Sequence, residues 1–146
     1  MQAFLTYNLK DFKNPVWIGL NDISWDKKYR WTDQTGVYYT NWAKGHPSAR
    51  NYYYYNYEDK TDCVAMKVGA VMDARTWTEE DCELKKGYIC QKSEDPDLPV
   101  VTTVTPPSDQ YMFADASYKF QRTKMKWDEA QGMCKQSDYD LASILE

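Results

Sequence analysis

The four cysteines, Cys63, Cys82, Cys90 and Cys134, constrain this chain more than any other feature. They show no Cys-x-x-Cys pair, and the only histidine is His46, so the ligand spacing of a structural zinc site is absent. Disulfides are the better reading, which places the chain in an oxidising compartment. The N-terminal Met1-Gln-Ala-Phe-Leu-Thr-Tyr lacks a basic start, a long apolar stretch and a cleavage site, and no run elsewhere is long enough to span a membrane. A secretion signal or anchor is therefore expected outside these 146 residues.

The core such a chain can build is aromatic. With 13 Tyr, 6 Trp and 4 Phe it packs around rings more than around leucines. Its net charge of -4 offers no broad basic face for phosphates, which argues against a nucleic-acid partner.

Phe4 to Asn8 reads as the last turns of a helix, broken at Asn14-Pro15 and followed by a buried strand at Val16-Trp17-Ile18-Gly19-Leu20. Tyr29 to Thr32 and Val37 to Thr40 read as short strands or extended loops around the turn Asp33 to Gly36. Ala43 to Thr61 has neither period and reads as a long surface loop. Further strands are expected at Cys63 to Val68, Thr76 to Thr78 and Gly87 to Gln91. The prolines and threonines between Ser93 and Asp109 mark an extended linker. Beyond it Ser117 to Phe120 reads as a strand, and Trp127, Ala130, Met133 and Cys134 share one helix face. Lys126 precedes that helix where a Ser or Asp cap is usual, so Thr123 or water is expected to cap it.

Six blocks in order carry a resemblance: Trp17-Ile18-Gly19-Leu20, Trp31-Thr32-Asp33, Tyr39-Thr40-Asn41-Trp42, Asp62-Cys63-Val64-Ala65-Met66, Trp77 to Cys82, and Gly87-Tyr88-Ile89-Cys90. Together they resemble the C-type lectin-like domains of the macrophage mannose receptor group of endocytic receptors. Trp127-Asp128-Glu129-Ala130-Gln131-Gly132-Met133-Cys134 and Asp140 to Ile144 are similar to the opening of another copy. The resemblance implies an α+β, disulfide-stapled fold of short antiparallel strands and long loops. It also implies a division into residues 1–92, a lectin-like domain lacking its first helix; 93–110, a Pro/Thr linker; and 111–146, a truncated second copy.

The resemblance further implies a disulfide between Cys63 and Cys82, whose loop of about 20 residues is worth roughly 3 kcal/mol in the loop-entropy picture. Cys90 and Cys134 are implied to pair with cysteines outside the chain. Without its first helix, the domain is expected to leave apolar sheet surface uncovered.

In sugar-binding members of the family, a loop Glu-Pro-Asn or Gln-Pro-Asp and a later Trp-Asn-Asp hold Ca²⁺, which takes six to eight oxygens. This chain has His46-Pro47-Ser48 and Trp77-Thr78-Glu79 there. Carboxylate and amide oxygens are thus replaced by imidazole and hydroxyls, and a sugar site of the usual kind, with its metal, is expected to be absent. Carboxylates at Glu58, Asp59, Asp62, Glu79 and Asp81 leave weak or displaced Ca²⁺ binding as the alternative.

Arg50, Tyr52, Tyr53, Tyr54, Tyr55 and Tyr57 form the kind of aromatic and Arg-bearing loop found at interface hot spots, against the plainer reading of a loop packed on its own domain. His46 is readable as a metal ligand or pH sensor, but a solvated loop histidine is commoner. Trp17, Trp31, Trp42 and Trp77 fall in framework blocks and are expected in the core. Asp33, Asp62 and Asp81 have no nucleophile motif or phosphate loop beside them, so no enzyme is expected.

The implied function is ligand recognition in the extracellular part of a mannose-receptor-like, single-pass receptor. Its expected partners are a glycoprotein or protein ligand and neighbouring lectin-like domains. The alternatives are a Ca²⁺-dependent lectin and a secreted lectin-like inhibitor or decoy.

Overall fold

A computed structural model describes residues 1–25, 27–48, 61–69, 72–93, 110–113 and 116–145. In chain order the elements are α1 (Gln2–Leu9), β1 (Val16–Asn21), β2 (Arg30–Trp31), β3 (Cys63–Met66), β4 (Trp77–Glu80), β5 (Lys86–Ser93), β6 (Gln110–Phe113), β7 (Ala116–Met125), α2 (Trp127–Lys135) and β8 (Asp140–Leu141). The strands form one sheet in the order β4-β3-β1-β5-β7-β6, with β2 paired to β1 and β8 to β5. Only β1 and β5 run parallel; every other pair of named strands is antiparallel.

Strand β1 explains why the sheet is covered on both faces. Val16, Trp17, Ile18 and Leu20 are all fully buried, and side chains alternate across a strand with a period of two. Val16, Ile18 and Leu20 enter one cluster, with Val64, Met66 and Ile89 from β3 and β5 and with Leu5 and Leu9 of α1. Leu5 and Leu9 stand four apart, the spacing that puts two side chains on one helix face. Trp17 enters the opposite cluster, with Cys63, Ala65, Tyr88 and Cys90, and this face is roofed by Trp127, Ala130 and Cys134 of α2. Each face therefore has its own helix: α1 over one, α2 over the other.

This arrangement departs from the expected uncovered surface, because residues 116–144 supply the cover. β7 pairs with β5 from Lys86↔Met125 to Ser93↔Ala116. Trp17 Nε1 donates to the Met125 carbonyl at 2.9 Å, and Trp127 Nε1 donates to the Ile18 carbonyl at 3.0 Å. Gly19 N–H donates to Ala142 O, and Ala142 N–H to Ile89 O, both at 2.9 Å. Gly19 is required for this close approach, since a Cβ there would lie 2.6 Å from the Leu141 carbonyl oxygen.

The cysteine pattern changes accordingly. Cys63 is bonded to Cys82, with Cα atoms 5.2 Å apart. Cys90 is bonded to Cys134, with Cα atoms 5.5 Å apart, in place of the expected partners outside the chain. The physical reason is that α2 lies on the sheet face that Cys90 points into, so both sulfurs share the second cluster. With a sequence separation of 44, this bond is worth about 4 kcal/mol in the loop-entropy picture.

Three local expectations also shift. Val37 to Thr40 forms no strand: Val37 and Tyr39 pack on the first cluster while Tyr38 is 94% exposed. Met133 is 40% exposed, so the buried stripe of α2 is Trp127, Ala130 and Cys134. The start of α2 is closed by its own Glu129, whose Oε2 accepts from Lys126 N–H at 3.1 Å, rather than by Thr123.

Candidate functional site

The residues singled out as the altered sugar loop meet on β4. Period-two alternation sends Trp77 and Glu79 to one side of β4, and Thr78 and Glu80 to the other. Trp77 is fully buried, and its ring meets Trp31, Tyr39 and Trp42 at centroid distances of 5.5, 5.8 and 5.8 Å in edge-on geometry. Offset and edge-on pairs of this kind suit the ring quadrupoles. The chain at Asn41–Ala43 then runs beside β4: Trp77 N–H donates to Asn41 O at 2.8 Å, and Ala43 N–H donates to Trp77 O at 2.9 Å. Asn41 Nδ2 ties the same stretch to the Arg75 carbonyl at 2.9 Å.

That lateral docking delivers His46 and Ser48 to Glu79, across a cis His46–Pro47 peptide. Ser48 donates to Glu79 Oε1 from both its backbone N–H and its Oγ, each at 2.5 Å. His46 Nδ1 lies 2.5 Å from Glu79 Oε2. An ionised carboxylate only accepts, so the proton of this contact sits on Nδ1. The Glu79 side chain is 5% exposed and that of His46 33%; a carboxylate so placed needs donors on both oxygens, and it has them. The histidine is thus held in a pair rather than solvated on a free loop. Lys27 Nζ reaches the Ser48 carbonyl at 3.2 Å and fixes the loop from the other side.

Burial pushes the Glu79 carboxyl up, but hydrogen bonds from Ser48 Oγ, Ser48 N–H and His46 together outweigh it and hold the group below the usual carboxylate range. A lowered folded pKa stabilises the fold in full above the unfolded value of 4.5, and that contribution is lost as pH falls through the folded value. Glu79→Gln removes the charge and is expected to cost about 1.5–3 kcal/mol at neutral pH, the range for hydrogen bonds to a charged group. Urea titrations from neutral pH to below 4.5 check this: the gap between wild type and E79Q narrows on acidification, and a gap independent of pH contradicts it.

The structure does not unite all the candidates. His46, Ser48 and Glu79 converge, with Pro47 between the first two. Thr78 faces away and donates to Glu80 Oε1 at 3.0 Å. Asp81 Oδ1 accepts from Glu83 N–H at 2.9 Å. Arg50, Tyr52, Tyr53, Tyr54, Tyr55, Tyr57, Glu58 and Asp59 lie outside the described residues.

The converging set is closed by its own hydrogen bonds. Both oxygens of its one carboxylate are engaged by donors, and one of those donors is an imidazole. Among the described residues no group of three or more His, Cys, Asp or Glu is placed to hold a metal ion. Nor is it a nucleophilic triad, because the Ser48 hydroxyl donates to Glu79 and not to the imidazole that would have to take its proton.

Sequence reasoning missed a neighbouring surface. Ile23 and Trp25 are 51% and 58% exposed, and Lys28 Nζ sits 3.5 Å from the centroid of the Trp25 ring. They precede Lys27, whose Nζ reaches the Ser48 carbonyl. Two large apolar side chains within a polar turn were the available signal.

Among the described residues, a mixed sheet with a helix on each face, two disulfides and an aromatic cluster around Trp77 are consistent with a C-type lectin-like domain. A family profile described as "Lectin C-type domain" matches residues 1–92, and the chain belongs to that family. It is 30% identical to the human C-type mannose receptor 2 over 155 residues, which covers 97% of this chain and 10% of the receptor. It is 27% identical to the bovine secretory phospholipase A2 receptor over 153 residues, 99% of this chain and 10% of that protein. The C-type lectin CRL of Crotalus ruber ruber is 34% identical over 76 residues, 52% of this chain and 50% of that lectin. The chain therefore spans about a tenth of the length of the receptors it matches.

Proposed function

We propose that this chain is a ligand-recognition module in the ectodomain of a mannose-receptor-like endocytic receptor, and that this copy works without a calcium-dependent sugar site. The receptor part rests on the similarity to two receptors along nearly the whole chain. The observation that carries the rest is the closed Glu79 carboxylate, bonded to Ser48 and His46. A sugar held through Ca²⁺ needs free carboxylate and amide oxygens, and here an internal hydrogen-bonded pair takes their place in holding the loop.

The ligand on this reading is a protein or the protein part of a glycoprotein. Its proposed contact residues are Arg50, Tyr52, Tyr53, Tyr54, Tyr55 and Tyr57, and the exposed Ile23 and Trp25 offer further apolar surface. Aromatic and Arg side chains of this kind dominate binding energy at protein interfaces. The residues from 111 onward are read as the opening of a neighbouring copy. Among the described residues no helix is long and apolar enough to cross a membrane.

A glycan array probed with the chain in millimolar CaCl₂ and again in EDTA tests the proposal. No calcium-dependent retention is the expected result; sugars held only in the presence of Ca²⁺ overturn it in favour of a true lectin.

A further inference from the structure

The family profile ends at residue 92, yet the sheet of that unit is completed by residues 116–144. The covering part and the covered part are thus separable in sequence while forming one core. Tyr118, Ala130, Cys134, Leu141, Ala142 and Ile144 are at most 2% exposed, and they bury themselves against residues of 1–92 on both faces of the sheet. The polar contacts are equally directed: Trp17 to Met125, Trp127 to Ile18, Thr32 Oγ1 to the Leu141 carbonyl at 3.1 Å, and Ser143 N–H to Gln91 Oε1 at 2.8 Å. The sequence of this segment reads as the opening of another copy, with its own strand, helix and cysteine.

Every one of these contacts joins the two parts, and none depends on which chain supplies the segment. Only the covalent connection distinguishes closure within a chain from closure between chains, through the effective concentration it sets. Exchange of an identical element between protomers then costs little, because the core formed is the same.

We propose that residues 116–144 are an exchangeable closure, which the β5 edge that pairs with β7 and the face around Trp17 and Ile18 accept from a second copy of this chain as well as from their own. The Cys90–Cys134 bond locks whichever closure has formed. Its formation between copies is balanced by oxidised glutathione: two protein thiols become one disulfide, and the oxidant leaves as two glutathione thiols.

Complementary single-cysteine variants test the idea. Cys90→Ser keeps only the donor thiol and Cys134→Ser only the acceptor thiol, so neither variant can form the second disulfide within itself. Both are refolded alone and as an equal mixture in a glutathione buffer, then analysed by non-reducing electrophoresis and peptide mass mapping. The expected result is a covalent heterodimer in the mixture, at twice the chain mass of 17.2 kDa, linked Cys90 to Cys134. Monomers with free thiols, or dimers joined through like cysteines, overturn the proposal. The intact chain gives an independent readout: unlabelled and ¹⁵N-labelled copies refolded together are expected to yield mixed-label Cys90–Cys134 peptides in a dimer fraction. Like-label peptides alone count against exchange.

Discussion

A chain ending after Ser93 will not unfold cooperatively. It loses α2, the roof of one sheet face, together with Tyr118, Trp127, Tyr139, Leu141 and Ile144, all buried in the full chain. At about 1.5–3 kcal/mol for each large side chain, the loss is on the order of 10 kcal/mol. That equals the whole net stability of a typical domain, about 5–15 kcal/mol. The Cys90–Cys134 bond goes as well. The Ile18 carbonyl and the indole N–H of Trp17 lose their partners. Thermal unfolding followed by near-ultraviolet dichroism will show a flat, early loss of tryptophan signal. A sharp transition near that of the full chain would show instead that residues 1–93 stand alone.

Trp77→Ala will carry the largest cost of any single substitution near the site, about 3–5 kcal/mol, the range for removing a large buried ring. Its ring is the hub on which Trp31, Tyr39 and Trp42 meet edge-on. Its backbone also holds Asn41 and Ala43, which aim the His46 loop at Glu79. Trp77→Phe will cost clearly less, because a ring is kept and the indole N–H, buried without a hydrogen-bond partner, is removed. Chemical denaturation of the three proteins separates the two effects. Equal losses for Ala and Phe would contradict the account of Trp77 as a packing hub.

Much of this architecture was legible in the chain because it is written locally. Val16 to Leu20, Cys63 to Met66 and Gly87 to Cys90 are short apolar runs rich in β-branched and aromatic residues, and they became the three central strands β1, β3 and β5. The framework tryptophans were legible for the same reason: Trp17, Trp31 and Trp77 are buried, and the half-buried Trp42 packs against Trp77. Val37 to Thr40 carries a true alternation, but it is spent on packing against the aromatic cluster instead of on a ladder. The partner of Cys90 was not legible, since the order of blocks says that a helix covers that face but not which copy brings it. The pairing of His46 with Glu79 spans 33 residues and a loop without periodicity, so only the folded docking of Asn41–Ala43 on β4 reveals it. The tyrosine-rich loop remains as the sequence left it, a candidate contact face with its residues named.

The proposed absence of a calcium-dependent sugar site rests on Glu79, whose carboxylate is closed by His46 and Ser48. Isothermal titration of Ca²⁺ into the oxidised, folded chain at neutral pH tests it most directly. The account predicts no binding heat, together with an unchanged thermal midpoint in calcium and in EDTA. Saturable heat with one site per chain, abolished by Glu79→Gln, would contradict it and restore the lectin reading.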